Sequence, residues 1–447
     1  MGFPKGFVWG AATSSYQIEG AAYEDGKGLS IWDTCCEHPG LVRDFQNADV
    51  ACDHYHRYPE DIGLLKEMGA AAYRFSLSWP RILPEGTGAV NEKGLDFYDR
   101  LIDGLCEAGV APYVTLYHWD LPYELYKRGG WLNRDIAGWF AEYTQVVAER
   151  FCDRVEHWMT LNEPQCFIGL GMQTGRQAPY LTLPQRDVLT AAHHALLAHG
   201  RSVQTLRAAA KRPLQIGFAP VGGVCCPASH SPQDIAAARE EMFRTDRDSL
   251  FNAAWWSDPI FLGRYPEDGL AYYGKHMPRI LSGDMETIRQ PLDFYGVNIY
   301  NADRAKAGPD GKAVLLPWAD GFPRNNCDWP IIPESLYWGP RFLYERYQSP
   351  ILVTENGFAG LDWISEDGKC HDPQRMDYLS RYLGALEQAH QDGVKMLGYF
   401  VWSLMDNFEW AEGYYKRFGM VHVDFETQKR TPKDSFYWYR DYIARQR

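Results

Sequence analysis

No stretch of this 447-residue chain reaches 18 consecutive apolar residues, so no membrane-spanning helix is expected. The opening residues, Met-Gly-Phe-Pro-Lys-Gly-Phe, hold no apolar signal segment, and Gly6 stands where a myristoylation signal requires Ser or Thr. Positive charge is not in excess. With 45 Lys and Arg against 58 Asp and Glu the formal charge is −13, which argues against nucleic acid or a membrane surface as partner. Cysteine is sparse for the length, at ten residues. Cys35–Cys36 and Cys225–Cys226 are adjacent pairs and no C-x-x-C spacing occurs, so neither a disulfide framework nor a metal knuckle is expected. Free thiols in a cytoplasmic protein are. No Ser/Gly-rich linker or charge block interrupts the chain, so residues 1–447 are expected to form a single domain.

What is present is a large apolar fraction, 45%, and many aromatics, 15% with 16 Trp. A rich core explains this, and so does sugar binding, in which ring faces stack on the C–H faces of pyranoses. Composition does not choose, because both can hold together. The hydrophobic pattern is more informative. Apolar, β-branched or aromatic runs at 7–13, 71–79, 111–119, 157–163, 214–221, 293–300, 351–355 and 397–404 read as buried strands. Amphipathic stretches lie between them. In 95–108, Leu95, Tyr98, Leu101, Ile102, Leu105 and Ala108 recur at helical spacing. In 372–392, Asp372 and Pro373 read as N-cap and first helical residue, and Gly393 as the stop. Eight strands alternating with helices predict an α/β fold, a single (β/α)8 TIM barrel with elaborated loops after its strands. The segment 301–333, rich in Gly, Pro, Asn and Asp, reads as one of those loops.

In such a barrel, chemistry sits where the strands end. Here the candidate ends carry Arg74, His118–Trp119, Asn162–Glu163, Asn298, Tyr300, Glu355 and Trp402. A strand that merely finished in solvent has no use for Arg, His, Asn and Glu in a Val/Ile/Tyr-rich run. Any one of them could be a satisfied buried polar group; a set at the same end of successive strands points to a site. Glu163 closes Thr-Leu-Asn-Glu-Pro (160–164) and Glu355 lies in Thr-Glu-Asn-Gly (354–357). Two carboxylates from separate strands suit glycosidic hydrolysis, one protonating the leaving oxygen and the other attacking or stabilising the sugar's developing positive charge.

These two motifs, with Arg-Phe-Ser-Leu-Ser-Trp-Pro-Arg (74–81), Tyr-His-Trp-Asp-Leu-Pro (117–122), Asp-Asn-Phe-Glu-Trp (406–410) and an N-terminal Phe-x-Trp-Gly-x-Ala-Thr-x-x-Tyr-Gln-x-Glu-Gly (7–20), form a set. It resembles glycoside hydrolase family 1 in order from about residue 3 to residue 440. The resemblance implies a retaining β-glucosidase needing no cofactor or metal. Glu163 would be its acid/base and Glu355 its nucleophile. The terminal sugar would be read by positions matched here by Gln17, His118, Asn162, Glu409 and Trp410, with Trp402 as platform and Asn162 on the 2-hydroxyl. Trp119, Asn298, Tyr300 and Phe418 complete the candidate substrate contacts, and Arg74 and Tyr300 would flank Glu355. On the leaving-group side Gln165 stands where many relatives carry Trp, and Trp329 matches a stacking position beside Pro330. Relatives acting on 6-phosphosugars place Ser, Lys and Tyr where this chain has Glu409, Lys416 and Phe418; a carboxylate at 409 favours an unphosphorylated sugar. The expected substrates are therefore small molecules, aryl β-glucosides and short β-linked gluco-oligosaccharides such as cellobiose. A broader β-glycosidase accepting galactosides or fucosides is the alternative, and a carbohydrate-binding pseudoenzyme a further one. An aldolase-type barrel would want a Schiff-base Lys or metal ligands at strand ends, and neither is seen.

Overall fold

A computed structural model describes residues 2–446. The eight expected strands are the eight staves of one closed parallel barrel. In chain order they are β1 (Val8–Ala12), β2 (Ala72–Ser76), β3 (Ala111–Tyr117), β4 (His157–Asn162), β5 (Gln215–Ala219), β6 (Phe294–Asn298), β7 (Ile351–Asn356) and β8 (Met396–Trp402). The ring closes where β8 pairs with β1, Val8 opposite Gly398 and Ala12 opposite Trp402. Helices between the strands cover the outside, among them Glu92–Glu107, Ile136–Phe151, Gln185–Ala209 and Pro373–Gln391. Both faces of each strand are thus buried, which is why the strands read as continuous apolar runs with no polar alternation.

The barrel is filled, not hollow. Ala12, Ala72, Tyr113, Met159, Ala219, Phe294, Leu352 and Phe400, one from each strand, form an inner cluster separate from the core under the helices. Small residues sit against large ones: a Cβ at Gly217 would stand 2.1 Å from the Phe294 ring. Period-two geometry places a second layer above this plug, toward the strand C-termini. Arg74 follows Ala72, Thr115 follows Tyr113, and Thr354 follows Leu352. This layer is polar, and it is the floor of the site.

Some expected details differ. β2 stops at Ser76, and Trp79 starts a helical turn, Trp79–Ile82, with Pro80 in its first turn, where the missing N–H costs nothing. The helix expected from Asp372 runs Pro373–Gln391 with Gly393 at φ +100°, but Asp372 makes no capping bond. Its carboxylate accepts instead from Ser435 N and Oγ and from Arg375. The segment read as a loop at 301–333 carries strands Asp303–Ala307 and Ala313–Leu315, antiparallel to each other, with Cys225–Pro227 beside the first. Gly-Pro-Asp-Gly at 308–311 is the turn of this hairpin, Gly308 N donating to the Lys312 carbonyl. All ten cysteines are free thiols, with Cys106 the exposed one. Among the described residues no helix is long and apolar enough to cross a membrane.

Candidate active site

β4 and β7, the strands that present the two glutamates, both lose register at their C-terminal ends. β4 slips against β5 between Met159 and Asn162, and β7 slips against β6 between Val353 and Glu355. Such irregularities re-aim side chains that an ideal strand would send to the other face. Glu163 then takes up a left-handed backbone, φ +44°, before the helical segment Gln165–Gln173 begins. The result is that Glu163 and Glu355 both line one cavity of about 320 Å³ at the strand C-termini. With them stand His118, Trp119, Asn162, Asn298, Tyr300, Trp402, Glu409, Trp410 and Phe418.

The two carboxylates are held differently. Glu355 Oε1 accepts from Arg74 Nη1 at 2.6 Å and Oε2 from Tyr300 Oη at 2.7 Å. Arg74 is itself fixed from all sides, donating to the Thr354 carbonyl, Thr115 Oγ1 and Asn162 Oδ1. Glu163 accepts from Asn298 Nδ2 at 2.7 Å and from the Cys166 thiol at 3.0 Å, and among the described residues no cation touches it. Burial, then the charge of Glu355, pushes its pKa up to about 7. Burial raises Glu355 as well, with Arg74 the main opposing influence. The single proton this pair retains near neutrality therefore belongs on Glu163, and Glu355 is the ionised partner. Tyr300 keeps its proton, its pKa lifted by burial and then by Glu355, so it remains a donor.

The rest of the pocket is a polar rim on aromatic walls. The Trp402 ring lies near-parallel to His118, and Trp119 packs 4.6 Å from Trp410 with its Nε1 donating to the Asn162 carbonyl. His118 is held neutral by burial and by Arg74. Its Nε2 meets Asn162 Nδ2 at 3.0 Å, leaving Nδ1 as the proton-bearing nitrogen, buried and without a protein partner. Glu409 is pushed up to about 8 by burial and by the other two glutamates. Trp329 lines the cavity beside Tyr300, ring centroids 5.3 Å apart.

Three expected contacts are engaged by partners within the protein. Gln17 is fully buried behind Glu409 and does not line the cavity; its amide donates to Asn407 Oδ1, the Phe408 carbonyl and Glu409 Oε2. It orients the carboxylate that does line it. Asn298 lines the cavity with its side-chain amide engaged by Asn162, Glu163 and Thr354. Gln165, expected on the leaving-group side, is turned away by the helix start and pins the Val221 and Asn252 backbone. Val221 takes its place in the wall.

The match to known proteins extends over the whole chain. The family model described as glycosyl hydrolase family 1 matches residues 1–447. The chain belongs to glycosyl hydrolase family 1. Beta-glucosidase A from Thermotoga maritima is 48% identical over 445 residues, covering 99% of this chain and 97% of that one. A 1,4-beta-D-glucan glucohydrolase from Thermotoga neapolitana is also 48% identical, covering 99% and 98%. Among solved structures, the family 1 β-glucosidase of T. maritima in complex with isofagomine lactam superposes with a TM-score of 0.91 at 46% identity, covering 100% of this chain and 99% of that one. The same values hold for its complex with glucoimidazole.

This family 1 chain also has cavity residues that sequence reasoning missed. Cys166 is one, though its place three residues after Glu163, one helical turn on, was a usable signal. Leu170, Val224, Glu241, Met242, Arg247 and Phe251 also line the cavity; nothing in their local sequence marks them, because they come from helical and loop segments outside the barrel strand ends. Among the described residues no group of three or more His, Cys, Asp or Glu is arranged to hold a metal ion.

Proposed function

We infer that this glycoside hydrolase is a retaining β-glucosidase in which Glu355 is the nucleophile and Glu163 the acid/base. In the first step the Glu355 carboxylate attacks the anomeric carbon from the α face. Glu163 gives its proton to the leaving oxygen, the β-glycosidic bond breaks and an α-glucosyl ester forms. In the second step Glu163, now ionised, takes a proton from water; the water oxygen displaces Glu355 and β-glucose leaves. Two inversions give retention. Tyr300 and Arg74 keep Glu355 ionised for attack and stabilise it as leaving group. Asn162, with one N–H left after its bond to His118, and His118 Nδ1 are suited to the sugar's hydroxyls, and Glu409 to a neighbouring pair. Trp402 and Trp410 supply the apolar faces.

The observation that carries this reading is the asymmetry of the pair, a guanidinium and a phenol on Glu355 and only neutral donors on Glu163. Aryl β-glucosides and short β-1,4-gluco-oligosaccharides such as cellobiose are the proposed substrates, in keeping with the relative named a 1,4-beta-D-glucan glucohydrolase. The free thiols favour the cytoplasm as its compartment. NMR of the first sugar released from an aryl β-D-glucoside tests the stereochemistry: β-glucose is expected before mutarotation, and α-glucose first would overturn the double displacement.

A further inference from the structure

In the reading above, Glu163 has to be protonated in one half-reaction and ionised in the next, so its surroundings must not favour either state too strongly. Glu355 is held by a cation; Glu163 is not. The charged and titratable groups acting on it are Glu355 from β7, Arg74 from β2, Glu409 and Tyr300 from the loops above the barrel, and Cys166 from its own helix. Among the described residues, its carboxylate accepts two hydrogen bonds. Asn298 Nδ2, at the end of β6, donates to Oε1 at 2.7 Å. Cys166 Sγ donates to Oε2 at 3.0 Å.

The thiol's position follows from the local backbone. Cys166 N donates to the Glu163 carbonyl at 2.8 Å, closing the first turn after Pro164. That turn brings the side chain of the third residue back over Glu163. Burial, then the charge of Glu163, keeps the thiol protonated, so it is a donor and not a nucleophile. A thiol is a weak donor. It leans toward the ionised carboxylate less than a guanidinium would, leaving the proton available for transfer. Asn298 is rigid for a different reason: its carbonyl accepts from Thr354 Oγ1 at 2.6 Å and its amide also reaches Asn162.

We propose that Cys166 and Asn298 form a two-donor clasp that positions Glu163, the thiol holding Oε2 in place as the residue alternates between acid and base. This rests on Glu163 being the acid/base. Removing the thiol takes away a bond that favours the ionised form, so the basic limb of the pH profile, where the acid loses its proton, moves upward. In Cys166→Ala that limb of kcat/KM should rise by roughly half to one pH unit. kcat on a substrate with a poor leaving group such as cellobiose should fall roughly 3- to 10-fold with KM little changed, because the carboxyl is less well aimed. Cys166→Ser, which restores a donor, should return the limb toward that of the parent. Cys166→Val fills the thiol's volume without a donor and should behave as Cys166→Ala, so packing loss is separated from donor loss. If all three variants keep the parent's limb, or if Ser and Val shift it equally, the clasp is refuted. Glu163→Ala distinguishes this from failure of the underlying reading. Full activity of that variant on cellobiose would remove Glu163 from the acid role altogether.

Discussion

Arg74→Met offers the most direct test of how Glu355, the proposed nucleophile, is kept ionised. Arg74 is 1% exposed, its Nη1 lies 2.6 Å from Glu355 Oε1, and its Nη2 lies 2.6 Å from Asn162 Oδ1. Methionine fills similar volume but supplies no charge, leaving Glu355 with Tyr300 as its direct side-chain donor in a buried site. Taking one partner from a buried ion pair costs about 3–5 kcal/mol. Expressed on the ionised form of Glu355 alone, that is an upward pKa shift of about 2–4 units. Burial, followed by Glu355, already places Glu163, the proposed acid/base, at about 7. The shift therefore lifts the nucleophile toward or above the acid, and the productive state, Glu355 ionised with Glu163 protonated, becomes a minor species at every pH. The expected loss in kcat/KM is roughly 100- to 1,000-fold at the optimum, with the acid limb displaced upward. Arg74→Lys should fall between, since one ammonium keeps the charge yet cannot span both Glu355 and Asn162. The assay is kcat/KM for an aryl β-glucoside across roughly pH 4 to 9, with circular dichroism to confirm the fold. A folded Arg74→Met enzyme whose acid limb stays where the parent has it would refute the reasoning.

In Glu355→Ala, azide added with an activated aryl β-glucoside should yield α-glucosyl azide. In Glu163→Ala it should yield β-glucosyl azide from an accumulated glycosyl-enzyme; NMR of the two products checks the assignment, and reversed anomers mean the roles are exchanged. Glucoside should be preferred over its 6-phosphate by about 100-fold or more in kcat/KM, since the ionised Glu355 shares the cavity with Glu163 and Glu409 and like-charge contacts in a confined site cost several kcal/mol; the preference should widen as pH rises through about 8, where Glu409 ionises. Lys416 does not line the cavity, its Nζ donating to the Asn326 carbonyl at 2.5 Å, so a preference for the phosphorylated sugar would contradict this placement. Acid stability should depend on Asp406, which is fully buried and bonded to Lys433, Arg417 and Gly419 N. Against the cost of burial, Lys433 and then Arg417 hold its pKa down from 3.8 to about 2. A depressed folded pKa stabilises above the unfolded value, so about 2 kcal/mol is present above roughly pH 4 and lost as pH falls toward 2. Urea titrations of Asp406→Asn against the parent should show lower stability at neutral pH and a flatter decline over that window.

The barrel itself was legible in the chain, because a strand buried on both faces can only be written as an apolar run, and eight such runs separated by amphipathic stretches admit few other folds. So was most of the site, since Arg74, His118, Asn162, Glu163, Glu355 and Trp402 interrupt those runs at their C-terminal ends with residues that a core would reject. Sequence could not decide where each side chain's hydrogen bonds go. Gln17 and Asn298 are polar residues beside the cavity, yet their amides are consumed by Glu409, Glu163, Asn162 and Thr354, partners up to 392 positions away. Gln165 is kept out of the cavity wall because the helix start at 165 sends it to Val221 and Asn252. The register slips in β4 and β7, the left-handed turn at Glu163 and the uneven surroundings of the two glutamates belong to strand pairing and packing. Local sequence names the carboxylates; only their tertiary neighbours, a guanidinium on one and an amide and a thiol on the other, make them chemically different.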